Sequence, residues 1–164
     1  MTLVRALAAY REYHRDHRNV LTHALGIPLI VLAIEVLLSR PALPIAAIGA
    51  GMALTPAIVA SALAAVWYLR LDLKTGLLMT LVLALFLGVG SQIASISTAA
   101  WLGGGVGLFV VGWALQFLGH HYEGRKPAFV DDLRSFLVGP LFMVVEGLFA
   151  LGLMQDLKRQ VEAD

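Results

Sequence analysis

The sequence predicts an all-α integral membrane protein: a helical bundle with four to six membrane-embedded helices and an amphipathic N-terminal helix. Three observations carry this. Of 164 residues, 59% are hydrophobic and only 14% charged, against about 45–50% and about 25% in soluble chains. The mean hydropathy of +0.82 is more apolar surface than a globule of this size can bury. Finally, the apolar residues gather in five stretches, near 23–39, 42–69, 75–94, 99–118 and 134–154, on the scale of the about 20 residues that cross hydrocarbon. With no internal repeat and no low-complexity linker, residues 1–164 read as a single domain.

The elements follow in order. The opening MTLVRALAAYREYHRDHRNV carries four arginines and two acids, with charges up to residue 18, unlike a signal peptide. It predicts a helix over 1–16, a turn in RDHRN, and a membrane helix from Val20 with Asn19 as its N-cap. The second stretch is long enough to tilt or bend, with Pro44 and Pro56 as places to do so. No strand pattern competes. The fifth stretch, interrupted by Gly139 and Pro140 and containing Glu146, predicts two short helices or a re-entrant pair. Trp67, Tyr68, Trp101 and Trp113 are expected as interface anchors or packing residues.

Basic residues orient the chain. With the N-terminus inside, nine of them face the cytoplasm and Arg40 alone lies in an outer loop. Lys158 and Arg159 make the split nine against three if the last stretch crosses, and eleven against one if it returns. Either favours an inside N-terminus.

Composition also excludes functions. A net charge of +1 leaves no broad electrostatic footprint for nucleic acid. The absence of cysteine removes disulfides, thiolate zinc sites, iron–sulfur clusters and cysteine nucleophiles. Any metal must be held by His, Asp, Glu or water.

The five histidines fall in two clusters: His14, His17 and His23, then His120 and His121. The topology puts both clusters at the cytoplasmic boundary, about 100 residues apart in sequence. On an unbroken helix His14 and His23 lie on opposite faces, so they meet only if the helix breaks between them. His23 sits one turn inside the apolar zone, where an ionisable residue is costly and usually functional. Gln116, His120 and Glu123 share one helical stripe. They offer an imidazole ligand, a carboxylate that is either ligand or base, and an orienting amide. His17 and His121 point away from these surfaces, although an unwound helix end would let His121 reach a shared ion. Glu35 and Glu146 are buried-carboxylate positions, read either as interhelical hydrogen bonding or as part of the site.

Two runs carry a family resemblance. One contains Tyr13, His14, Asn19, His23, Ile27 and Pro28; the other contains Gln116, Phe117, Gly119, His120, Glu123, Gly124, Pro127 and Ala128. Together with the YLRL run from Tyr68 to Leu71 and the late Pro140, they resemble the membrane 2-hydroxy fatty acid dioxygenase family, whose fungal member acts in α-oxidation during phytosphingosine breakdown. The resemblance implies an Fe(II)-dependent enzyme that uses O2 to shorten a 2-hydroxy fatty acid by one carbon. With the short loops, it points to a bacterial inner membrane protein.

On that reading His14, His23 and His120 hold Fe(II), with Glu123 as fourth ligand or behind the ligands and His121 as the alternative imidazole. Asn19 and Gln116 orient the rings. Arg125 or Lys126 steers the substrate carboxylate, and the acyl chain lies among the spans. The rival readings are a haem-b electron carrier with His23 and His120 as axial ligands, and a non-catalytic membrane lipid-binding protein.

Overall fold

Among the described residues, seven α-helices form because the apolar stretches are separated by residues that stop and cap them. A computed structural model describes residues 1–44 and 53–164. Helix α1 spans Leu3–Arg11, and the Thr2 hydroxyl accepts from the Arg5 N–H at its start. Helix α2 spans His17–Leu38, α3 Pro56–Leu71, α4 Leu73–Ile96 and α5 Gly105–Glu123, the last preceded by a π-helical turn at Ala100–Gly104. A 3₁₀ turn at Ala128–Val130 leads to α6, Ser135–Ala150, and α7, Gln155–Ala163. Among the described residues, three stretches are long and apolar enough to cross a membrane: His17–Leu38, Leu73–Ile96 and Ala100–Glu123. Helix α3 is apolar but shorter.

Three sequence expectations are corrected. First, the N-terminal helix ends at Arg11, and the next begins at His17, not Val20. Asp16 supplies the cap: its Oδ1 accepts from the Arg18 N–H at 2.8 Å, satisfying a donor that the first helical turn leaves orphaned. Asn19 therefore lies within the first turn, and its side chain is free for other partners. Second, a strand pair exists where none was expected: Leu43–Pro44 (β1) pairs antiparallel with Ala53–Leu54 (β2). Among the described residues, the helical part of the second stretch begins at Pro56, behind the Thr55 cap, where a proline's missing N–H costs nothing. The segment 45–52 lies outside the described residues.

Third, α6 runs unbroken through Gly139 and Pro140. The break comes later, where Gly152 (φ +76°) and Met154 (φ +52°) take left-handed backbone and α7 departs at 119° to α6. A proline inside an apolar helix frees one carbonyl. Left-handed Gly152, just past the Leu151 cap, ends the helix, and left-handed Met154 then caps the start of α7.

The described residues divide into two compact units. The first comprises Met1–Pro28 and Gly112–Asp164, and the second Leu29–Val111. In the first, α1 buries Leu3, Ala6, Leu7 and Tyr10 while α6 buries Val138, Leu141, Phe142 and Val145; the Tyr10 and Phe142 rings meet at 5.1 Å. In the second, Asp72 alone links α3 to α4. Its carboxylate accepts from the Thr75 N–H and hydroxyl at 2.8 and 2.9 Å. Tyr68, expected as an interface anchor or packing residue, is buried. The Trp101 indole N–H donates to the Leu37 carbonyl at 3.1 Å.

Candidate metal centre

The turn between α1 and α2, the first turns of α2 and the last turn of α5 all belong to the first unit, and each delivers one histidine to a common cluster. His14, His23 and His120 are 3%, 1% and 7% exposed. One ring nitrogen from each lies within 4.8 Å of the other two. The ring centroids are 4.5 Å apart for His14 and His23, 4.8 Å for His23 and His120, and 5.3 Å for His14 and His120.

Their orientation has a local cause. His14 Nδ1 lies 2.8 Å from the Tyr10 carbonyl and His23 Nδ1 lies 3.0 Å from the Asn19 carbonyl, both four residues back. A carbonyl only accepts, so each Nδ1 carries the proton and each Nε2 presents a lone pair. Burial lowers the His14 pKa to about 4, so the ring is neutral at physiological pH, the form that binds a metal. His14 Nε2 and His120 Nδ1 are buried with no hydrogen-bond partner, a costly state for polar atoms. Three such imidazoles fit a first-row transition ion, which would be their missing partner.

The surroundings hold the rings still. Tyr10 stacks on His14 with centroids 4.1 Å apart and planes 9° apart, and Phe142 lies 6.0 Å from the same ring. Glu123 clamps the His14 turn. Its Oε1 accepts from the Arg15 N–H at 3.0 Å, and its Oε2 accepts from the Asp16 N–H at 2.9 Å and from Asn19 Nδ2 at 3.0 Å. Both oxygens are thus engaged, and the carboxylate lies outside the clustered ligand atoms. Asn19 Nδ2 also donates to the Tyr13 carbonyl at 3.1 Å, tying the turn to α2. Gly119 lets α5 approach. A Cβ there would stand 2.4 Å from Asn19 Oδ1, 2.3 Å from Thr22 Oγ1 and 3.0 Å from His23 Nδ1.

The other sequence-predicted residues divide clearly. Gln116 is buried beside Gly26, with its Nε2 unpartnered. His17 and His121 are exposed and outside the cluster. Arg125 donates to the Glu12 carbonyl at 2.5 Å and lies over the Tyr13 ring. Lys126 pairs with Asp131, which also accepts from the Tyr13 hydroxyl at 2.8 Å. These contacts fasten the loop after α5 to the His14 turn. Sequence reading missed Tyr10, although its position four residues before His14 was the available signal. It also assigned ring orientation to the Asn19 side chain, whereas the Asn19 carbonyl does that work.

A family model described as 2-hydroxy-palmitic acid dioxygenase Mpo1-like matches residues 1–151. The chain belongs to this family. It is similar to the 2-hydroxy-palmitic acid dioxygenase MPO1 of Saccharomyces cerevisiae, with 36% identity over 161 residues covering 96% of this chain and 86% of the yeast protein. No solved structure matches it. The region matched to the Mpo1-like family contains the three histidines and Glu123, and it stops before α7.

Proposed function

We propose that this protein is a membrane-embedded, Fe(II)-dependent dioxygenase that shortens a 2-hydroxy fatty acid by one carbon at the cytoplasmic membrane boundary. The observation that carries the reading is the convergence of three buried imidazoles in a chain of the Mpo1-like family. Bound Fe(II) supplies the one-electron chemistry that lets O2 react with a closed-shell organic acid. The acid itself supplies four electrons when C1 leaves as CO2 and C2 becomes the new carboxyl carbon, so no separate reductant is needed.

The chain's own residues prepare the site. The Tyr10 and Asn19 carbonyls fix the His14 and His23 tautomers, and Glu123 holds the turn that carries His14. Such support keeps ligand geometry within the narrow range a metal needs. Burial of all three rings keeps bulk water from the reacting centre. A haem between His23 and His120 would need the two rings on opposite faces of a porphyrin; here His14 packs against both.

The decisive experiment loads purified full-length protein with Fe(II) anaerobically, then adds 2-hydroxypalmitate and O2. About one iron per chain and release of the acid one carbon shorter are expected. Iron well below one per chain, or no shortened acid from fully loaded protein, overturns the reading. Orientation is tested separately by single cysteines at exposed positions. Substitutions at Ala9 and Val130 should react with impermeant reagent only from inside, and one at Ser95 only from outside. Labelling of Ala9 and Val130 from opposite sides refutes the shared cytoplasmic boundary.

A further inference from the structure

Within the first unit, α1, the start of α2, α6 and α7 line an open cavity of about 990 Å3 that reaches His14. Phe142 and Val161 give it apolar wall, while Arg5, Glu146 and Lys158 bring charge. Two other cations that line it are already paired: Arg11 with Glu162 at 3.4 Å and Arg15 with Glu12 at 2.5 Å. Arg5 is exposed, whereas Lys158 is half-buried, and among the described residues Lys158 makes no ion pair within 4.0 Å. Glu146, on the facing wall, feels the charges of Arg11 and Lys158 without pairing to either. Lys158 is thus a cavity-lining cation held in no ion pair, and its compact ammonium can take an anionic group that enters.

The two cations that the sequence offered for the substrate carboxylate lie elsewhere. Arg125 and Lys126 are tied to Glu12, Tyr13 and Asp131 and do not line this cavity. We infer that Lys158 of α7 is a substrate-positioning residue, receiving the carboxylate of the 2-hydroxy acid in the cavity beside His14. This rests on the reaction proposed above. It also gives α7 a purpose: the left-handed turn at Gly152 and Met154 folds that helix back against α1, carrying Lys158 and Val161 into the cavity wall.

The test compares K158Q and K158R with the parent, as purified full-length protein. Iron content, kcat and KM for 2-hydroxypalmitate are measured, together with equilibrium binding of 2-hydroxypalmitate and of its methyl ester. K158Q should retain iron, raise KM about tenfold and change kcat less, the pattern of lost ground-state binding. K158R should recover most of the loss. The parent should bind the acid more tightly than the ester, and K158Q should erase that preference. An unmoved KM in K158Q, or equal binding of acid and ester by the parent, overturns the inference. If iron-loaded parent turns over no 2-hydroxy acid, the reaction reading fails. The acid-over-ester preference and its loss in K158Q then still decide the role of Lys158.

Discussion

Helix α2 carries two buried ionisable residues of opposite fate, His23 near its start and Glu35 near its end. Around His23, in the first unit, the polar atoms form a convergent set: two further imidazoles approach within 4.8 Å, and carbonyls and a carboxylate fix their supports. Glu35, in the second unit, is 4% exposed. Its Oε1 accepts from the Ser61 hydroxyl at 2.5 Å, and its Oε2 has no partner. Here the interhelical hydrogen-bond reading of a buried carboxylate holds. Burial and an unsatisfied atom are thus common to both places. Convergence of several such atoms on one point is what separates a candidate metal centre from a polar contact between helices.

The contrast can be broken most sharply by removing side chains. Replacing His14, His23 or His120 with Ala should take iron from about one per chain to near zero, while Glu35→Gln should leave iron content at the parental level. Elemental analysis of purified variants reads both. Iron retained by any of the three alanine variants would remove that residue from the ligand set.

A smaller effect is expected from the clamp. Glu123→Gln swaps one accepting oxygen for an NH2 group that faces backbone donors. Metal affinity should fall about 10–100-fold, yet saturating Fe(II) should still fill the site. Failure to fill it at any concentration would make Glu123 a ligand.

Two of the close approaches between helices, at Gly119 and Gly90, offer the next comparison. A Cβ on Gly119 would strike Asn19 and Thr22 side chains, and one on Gly90 would stand 2.8–3.0 Å from the Cβ and backbone of Glu35 and Val36. Both alanine variants should lose about 1–3 kcal/mol by overpacking. Only Gly119→Ala should also weaken metal binding. Thermal unfolding alongside metal titration distinguishes them.

A pH series on metal-free protein tests the buried His14. Its folded pKa of about 4 lies below the ordinary 6.5, so the unfolded chain gains a proton first as pH falls. Stability present above pH 6.5 should decline toward pH 4, and His14→Asn should flatten that slope. The smallest effects belong to His17→Ala and His121→Ala, exposed positions where changes within about 0.5 kcal/mol are usual. Iron loss in His121→Ala with retention in His120→Ala would reassign the ligand on α5.

The three-histidine set was legible because charge bias placed both clusters at one depth and helical spacing put His120 on a stripe with Gln116 and Glu123. Less legible were the roles of backbone carbonyls, since every residue has one and only folding selects which are aimed at a ring. Asn19 suited both an N-cap and an interior position, and Asp16, three residues earlier, took the cap. Pro140 suggested a break that α6 does not make, whereas Gly152, just before the polar run QDLKRQ, marked the real one. The association of α7 with α1 could not be read locally, because α7 lacks the long apolar stretch that would have announced it.

The grip of Glu123 on two N–H groups and the Asn19 amide has a thermodynamic consequence. A chain that must organise its ligands on meeting a metal spends part of the binding free energy on that ordering. Here the loop carrying His14 is already stapled at both ends by contacts that involve no ion. Metal should therefore come and go as a reversible guest: chelation should empty the centre without unfolding the helices, and refilling should follow ordinary bimolecular association rather than a slow refolding phase.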